Sequence, residues 1–259
     1  MDKHMLGELC TKARRQYDQA DYSGAEVFYR KVLADLERSR GQGHPETAVV
    51  LNNLAAVLIA RCEYREAELL HRQAIESKLR FFGSDHPALL INLSVLARLS
   101  WLQSRYSETE RLYRRMIRIH ERYPGEDRTR YWEALGKLAE ARMAQGDSAE
   151  AEDCFRRLLQ EKQERSGKLH PVLTGDLESL AVALQNQGKH AETEALLRRS
   201  VRINALHFGE LDKRTGRALA RLEIYLRRRG LYLEAEKAYR RLKQIRKKYL
   251  CDRHIQVFD

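Results

Sequence analysis

Three histidines have the residue type and the regular spacing that a metal site could use. His44, His86 and His170 each precede a proline, and they lie 42 and 84 residues apart. A zinc ion needs ligand atoms that converge to about 2 Å from the metal. Equivalent positions of successive structural repeats are too far apart for such convergence. We therefore expect each histidine to mark a helix start before proline, and we predict no metal site.

Other groups that could carry out catalysis also fail to form a site. The chain has four scattered cysteines without a CxxC pair, at Cys10, Cys62, Cys154 and Cys251. This pattern indicates free thiols in a reducing compartment. The paired carboxylates Glu66 and Glu68 recur in later repeats, so the repeat explains them better than acid–base chemistry does. Phosphate-binding loops and nucleophile elbows are absent, and we predict no catalytic residue, no cofactor and no enzyme.

The composition permits long helices and places no segment in a membrane. The chain has only four prolines, so long stretches contain no helix breaker. The most apolar stretch, residues 89–102, is interrupted by Asn92, Ser94 and Arg98 and is too short to span a bilayer. The first residues lack the apolar core of a secretion signal. We predict a cytoplasmic protein without a membrane partner.

A period of 42 residues runs through the chain and is defined by four residue types. Glycine recurs at 41, 83, 125, 167 and 209, and leucine at 9, 51, 93, 135, 177 and 219. Glutamate recurs at 26, 68, 110, 152, 194 and 236, and arginine at 30, 72, 114, 156, 198 and 240. Periods of this length are typical of solenoid repeat proteins.

Each repeat is predicted to be a pair of antiparallel helices. In the second repeat, Pro45 suits the first turn of a helix, and apolar residues follow at helical spacing up to residue 58. This first helix ends near Cys62, where later repeats have glycine. The second helix is predicted over residues 65–81 and ends before Gly83.

The second repeat resembles the tetratricopeptide-repeat family. The resemblance rests on Leu54-Ala55, Tyr64, Glu66-Ala67-Glu68, His71-Arg72 and Ala74. The order His44-Pro45 to Leu51-Asn52-Asn53 is similar to the 42-residue repeats of kinesin light chains. The chain departs from this pattern at Arg128-Thr129 and Asp212-Lys213, which replace His-Pro. A peptide-backbone clamp like that of the light chains would therefore be incomplete.

The resemblance implies an all-α fold, a right-handed α-solenoid of six antiparallel helix pairs. We predict one array over residues 1–250 and a C-terminal tail over 251–259. The six units span about 5–41, 42–83, 84–125, 126–167, 168–209 and 210–250. The resemblance also implies that the first helices line a concave groove in which a partner peptide binds.

Predicted groove positions follow the same period along the first helices. The column consists of Tyr17, Ile59, Trp101, Met143, Gln185 and Arg227, and it changes from apolar to cationic along the chain. The predicted partner-binding residues are Tyr17, Asn52, Ile59, Arg98, Trp101 and Met143. Trp101 and Met143 have the alternative of being core residues, since an apolar stripe at helical spacing also packs a core.

The net charge of +11 is concentrated at the C-terminal end. Residues 213–253 contain fifteen Lys or Arg and four Asp or Glu, and the remainder of the chain is neutral. We predict a basic patch at Arg217, Arg227 and Arg228 that favours acidic segments or phosphate groups. A polar cap on the terminal repeat is the alternative explanation of this charge.

These observations predict a non-catalytic scaffold or adaptor that holds a protein or peptide segment. The alternative is nucleic-acid or phosphate-ligand binding by the basic repeat. Against nucleic acid, Tyr232 and Tyr239 fall on columns that the family places in its core, so interleaved aromatic residues are lacking. A third hypothesis is end-to-end self-assembly, but the polar Lys12 and Gln16 on the first helix favour a monomer.

Overall fold

The computed structural model describes residues 3–41, 43–125 and 128–255, and this part is almost entirely helical. The chain divides into two compact units, residues 1–134 and 135–259, with the boundary inside one helix. The first unit contains α1 (Lys3–Asp18), α2 (Tyr22–Arg40), α3 (Pro45–Ala60), α4 (Tyr64–Phe82), α5 (Leu90–Leu102), α6 (Tyr106–Arg122) and the start of α7 (Thr129–Ala144). The second contains the rest of α7, α8 (Ser148–Ser166), α9 (Thr174–Asn186), α10 (His190–Phe208), α11 (Lys213–Arg228) and α12 (Tyr232–Ile255). Short 3-10 turns lead into α5 and α9.

Consecutive helices form antiparallel pairs within each unit. In the first unit α1 packs on α2, α3 on α4 and α5 on α6. In addition, α2 packs on α3 and α4 packs on α5, which are the first helices of the following pairs. The second unit shows the same alternation from α8 to α12. The leucines of the 42-residue period are buried, as Leu51 and Leu219 illustrate. The predicted all-α fold of tandem helix pairs is confirmed.

The last helix is longer than the sequence predicted. α12 continues to Ile255, inside the segment predicted as a tail. Residues 256–259 of that tail lie outside the described residues. The single array over residues 1–250 and its six unit boundaries stay predictions.

Histidine or aspartate caps the start of four repeats. The Nδ1 atoms of His44, His86 and His170 each accept a hydrogen bond from the backbone N–H two residues later, at 3.3, 3.1 and 3.2 Å. The carboxylate of Asp212 accepts the equivalent bond at 2.8 Å. Each cap satisfies an N–H group that the first helical turn leaves without an intrahelical partner. The histidines are helix-start residues, as predicted, and Asp212 is an equivalent cap in a repeat that lacks His-Pro.

Arginine and glutamate columns form ion pairs between successive second helices. In the described part, four arginines each contact the glutamate four residues earlier and another glutamate 36 residues later: Arg30, Arg72, Arg156 and Arg198. Glu66 lies 2.7 Å from Arg30, and Glu68 lies 2.6 Å from Arg72. Exposed pairs of this kind contribute up to about 1 kcal/mol each. The paired carboxylates are therefore structural contacts between repeats.

The turn between the two helices of a pair has a left-handed residue at a fixed position. Its φ angle is 61° at Ala20, 63° at Cys62 and 58° at Ser104. The later repeats place Gly146, Gly188 and Gly230 there, with φ angles of 85°, 74° and 75°. Residues with a Cβ atom enter this region at a cost that glycine avoids. The first three repeats therefore hold a strained residue where the last three have glycine.

Glycine at these strained positions should stabilise the first unit. Cys62→Gly and Ser104→Gly should each raise the free energy of unfolding by about 1 kcal/mol, because the left-handed penalty outweighs the extra freedom of glycine in the unfolded chain. Urea unfolding followed by circular dichroism measures the change. Gly188→Ala is the reverse control and should lower the stability of the second unit. Variants with unchanged stability would show that the turn is not strained.

Candidate functional site

Each unit has a first-helix face, formed by the outward residues of α1, α3 and α5 in the first unit and by those of α9 and α11 in the second. Tyr17, Ile59 and Trp101 occupy equivalent positions on α1, α3 and α5. Tyr17 is 36% exposed, and Ile59 and Trp101 are half-buried. Ile59 also packs against the core of the unit. This row therefore offers apolar surface to solvent while part of it is covered by the fold.

A second row of aromatic residues lies beside this one. Tyr22, Tyr64 and Tyr106 are the first residues of α2, α4 and α6, each five residues after a member of the first row. The rings of Tyr17 and Tyr22 are 5.5 Å apart, and those of Trp101 and Tyr106 are 5.2 Å apart, both edge to face. The sequence prediction missed these tyrosines as site residues, although their 42-residue spacing was the signal.

A buried polar network holds Asn52 at the same face. The side-chain amide of Asn92 donates hydrogen bonds to the Asn52 carbonyl oxygen and to His71 Nδ1, the latter at 3.1 Å. Lys78 Nζ in turn donates to the Asn92 carbonyl oxygen at 2.7 Å and to the backbone oxygen of Ala88 at 2.8 Å. Asn92 is fully buried, so its contacts fix the orientation of the Asn52 amide.

Burial lowers the pKa of both ionisable groups in this network. The pKa of His71 falls to about 4, chiefly because burial disfavours the charged ring and also because Lys78 is positive. Burial also lowers the pKa of the Lys78 ammonium group. A neutral His71 fits the geometry, since Nδ1 accepts the Asn92 proton and the ring proton lies on Nε2.

The second unit has a charged version of the same contact. Lys162 and Asp176 occupy the positions of Lys78 and Asn92, and their Nζ and Oδ2 atoms lie 2.6 Å apart. Burial raises the pKa of Asp176, against the opposing effect of Lys162. The fold thus accepts either a neutral or an ionic partner for the buried lysine.

The predicted cationic residues differ in their freedom to bind a ligand. Within the part of the chain that the structure describes, Arg98, Arg217 and Arg228 are exposed and have no carboxylate within 4.0 Å. Arg227 instead lies 2.6 Å from Glu223, four residues earlier on α11. The sequence prediction gave Arg227 and Arg228 equal weight, but the structure leaves Arg228 free and pairs Arg227.

In the second unit, the first-helix face contains a cavity of about 190 Å³ between α9 and α11. Val182 and Ile224, which are 45% and 49% exposed, line it together with Gln185 and Arg228. An ion pair of 3.0 Å joins Arg221 of α11 to Glu178 of α9. Arg217 and Arg227 do not line this cavity.

Met143 is half-buried near the end of α7, at the position that corresponds to Ile59. It shares this intermediate burial with Trp101, so neither residue is a fully buried core residue.

Part of the C-terminal charge lies at exposed positions of α12. Lys243 and Arg246 of α12 are exposed, whereas the equivalent residues of α10, Val201 and Asn204, are each 5% exposed. The described residues place no further helix pair on this side of α12. The capping alternative stays a prediction.

The expectation that Tyr232 and Tyr239 lie in the core is wrong. Tyr232 is 70% exposed and Tyr239 is 37% exposed. Tyr232 continues the row of Tyr22, Tyr64 and Tyr106, and Tyr64 is also exposed, at 40%, although a further helix pair follows it. The equivalents of Tyr239, Phe155 and Leu197, are buried, but the described residues place no first helix after α12 that would cover Tyr239.

Among the described residues, no group of three or more His, Cys, Asp or Glu could hold a metal ion. No helix of the described residues is long and apolar enough to cross a membrane.

Two segments of the chain match models of the tetratricopeptide repeat, over residues 16–80 and 177–210. A comparison with curated proteins found no match. Both matched segments include residues of the first-helix face, among them Ile59 and Val182.

The structure is similar to solved proteins with the same kind of repeat. One is a protein from Podosopora anserina that is described as a kinesin light chain with nearly identical TPR-like repeats. Its sequence is 22% identical, the match covers 79% of this chain and 97% of that one, and the TM-score is 0.65. BtubC (BKLC) from P. vanneervenii is 19% identical, with 92% of both chains covered at a TM-score of 0.65. The apo form of RapI is 12% identical, with 95% and 98% covered at a TM-score of 0.60. At these identities the similarity establishes the fold.

The stability of the first unit should fall as the pH is lowered from about 6.5 to about 4. His71 has a lower pKa in the folded chain than in the unfolded chain, so the unfolded state binds more protons in this window. The free energy of unfolding should therefore fall by up to about 1.4 kcal/mol per pH unit, and this contribution is fully present above the unfolded pKa. Urea unfolding across the window measures the slope.

His71→Phe is the matched control for this titration. Phe155 occupies the equivalent position two repeats later and is buried, so phenylalanine suits the site. The variant should show a smaller slope, because the remaining pH dependence comes from other groups. Equal slopes in the variant and the native chain would contradict the assignment to His71.

Proposed function

Because the chain belongs to the tetratricopeptide-repeat family, we propose that it is a non-catalytic scaffold that binds a protein segment along its first-helix face. The tetratricopeptide repeat is generally a protein-interaction module. The observation that carries the proposal is the repeated aromatic and apolar row of the first unit. Tyr17, Ile59 and Trp101 recur at one position, and the tyrosines at the start of each second helix lie five residues further along the chain.

This row supplies apolar area to a bound segment. A fully desolvated side chain of this size contributes about 1.5–3 kcal/mol, and half-buried side chains such as Ile59 and Trp101 contribute less than that. Asn52 adds a side-chain amide whose orientation is fixed by the buried Asn92. A partner with apolar side chains and free backbone amides would match this surface.

Cations on the first-helix face of each unit favour an acidic partner. In the first unit, Arg98 is exposed and lies close enough to Tyr64 to interact with it electrostatically. In the second unit, Arg228 is free beside the exposed Val182 and Ile224. Such arginines mainly increase the association rate and select the orientation of an acidic segment.

We also propose a cytoplasmic and monomeric protein. Cys10 and Cys62 are free thiols, which fits a reducing compartment. Lys12 is exposed on α1, where most later repeats place leucine, and this supports a polar cap at the first helix pair.

The apolar part of the proposal can be tested with peptides selected from a random displayed library on the native chain. Trp101→Ala combined with Ile59→Ala should weaken the best peptide by about tenfold or more, measured by fluorescence anisotropy. Val27→Ala combined with Leu69→Ala is the matched control, since both side chains are exposed on second helices. Equal losses in the two double variants, with helicity retained, would contradict a site on the first-helix face.

The cationic part can be tested by charge reversal. Arg228→Glu should weaken an acidic peptide selected on the native chain, by up to about fivefold, and should reduce the salt dependence of binding. Lys243→Glu changes the net charge equally on α12 and should have less effect. If both variants weaken binding equally, total charge rather than Arg228 selects the acidic segment. Steeply salt-dependent binding of single-stranded DNA, with no selected peptide, would favour the nucleic-acid alternative.

A further inference from the structure

A wider groove lies on the opposite side of the second unit, between the second helices α10 and α12. Its volume is about 820 Å³. The floor is formed by Leu219, Leu222 and Leu226 of α11, which are buried in the core of the unit. The apolar surface that the groove offers to a ligand comes from the exposed Leu206 and the half-buried Ala205 of α10.

Two alanines leave this groove undivided. The equivalent groove between α8 and α10 consists of two cavities of about 400 and 660 Å³, and Gln163 and Arg199 line both of them. Arg199 donates a hydrogen bond of 2.8 Å to the Gln163 side chain, and this contact lies where the two cavities meet. At the positions of Gln163 and Leu196, the groove between α10 and α12 has Ala205 and Ala238. Ala205 has no polar group that could form this bond.

The rim of the wider groove carries a positive charge. Four cations and two glutamates line it: Arg198, Arg202, Lys237, Arg241, Glu210 and Glu234. Ion pairs join the two helices at each end, from Arg198 to Glu234 and from Arg241 to Glu210. Between them, Arg202 and Lys237 are exposed and have no carboxylate partner among the described residues.

The spacing of the end pairs limits the length of an occupant. Arg198 lies ten residues before the end of α10 at Phe208, which corresponds to about 15 Å along the helix, and Glu210 follows this end. An extended segment of about five residues spans this distance. The end pairs are exposed, so exchanging their carboxylates for those of a ligand costs little.

We propose that this groove binds a second protein segment, which is acidic and carries apolar side chains. The apolar side chains would lie on Leu206 and Ala205, and the carboxylates would pair with Arg202 and Lys237. This site does not depend on the first-helix face, so the chain would hold two partner segments at once. A fatty acyl chain is the competing occupant, but the exposed Leu206 and the two-sided cationic rim favour a peptide with several carboxylates.

The test uses a displayed library of short acidic peptides. In the double variant Ala205→Gln with Ala238→Leu, the groove is filled by the residues of the preceding repeat. Peptides that bind this filled variant are first removed from the library, and the remaining peptides are then selected on the native chain. The selected peptide should bind the filled variant at least about tenfold more weakly. Arg202→Gln and Lys237→Ala, which also restore residues of the preceding repeat, should each weaken binding by up to about fivefold.

First-helix variants separate this site from the proposed function. Arg228→Glu should leave the peptide affinity unchanged, and a peptide bound to the first-helix face should not compete. Loss of binding in Arg228→Glu would move the peptide to the first-helix face and overturn the proposal. Failure to select any peptide would also overturn the proposal. This includes the outcome in which no peptide is selected but a fluorescent fatty acid binds the native chain and does not bind the filled variant. If the filled variant does not fold, the rim variants decide, and unchanged affinity in both would overturn the proposal.

Discussion

Stacking at a constant spacing of 42 residues is the constraint on which the rest of the structure depends. A helix pair alone leaves one apolar face uncovered, so a neighbouring pair must cover it in register. Contacts between neighbours therefore join residues at similar separations, such as Arg30 to Glu66 and the Tyr225 hydroxyl to the His190 carbonyl. An insertion inside one repeat would displace the apolar, ionic and hydrogen-bonded contacts together. The glutamate and arginine columns follow from this geometry.

A fixed register leaves individual positions free to change chemistry. The buried lysine of one repeat contacts Asn92, and that of another contacts Asp176. Asn92 accepts a hydrogen bond from Lys78 and donates one to Asn52 at the surface, whereas the Asp176 carboxylate accepts from Lys162 and has no proton to donate further. A neutral partner therefore couples the interior of the first unit to its candidate site. The cost is a lysine and a histidine whose charged forms are disfavoured by burial.

The sequence predicted the fold and the helix starts because both depend on residues within one repeat. The second helix predicted over residues 65–81 is observed over Tyr64–Phe82. Local spacing also placed Tyr17, Ile59 and Trp101 on one face. It did not separate Arg227 from Arg228, although Glu223 four residues before Arg227 was a usable signal. The groove of Ala205 and Ala238 could not be predicted, because it depends on two helices that face each other across a third.

The basic last repeat is therefore better understood as several surfaces than as one patch. Lys243 and Arg246 are exposed where the equivalent residues of α10 are buried. Arg227 is paired within its own helix, and Arg228 faces the cavity between α9 and α11. Lys237 instead lines the groove on the second helices. Since α11 separates the two cavities, a carboxylate bound by one cation cannot reach the other, and the net charge of this repeat does not define a single ligand.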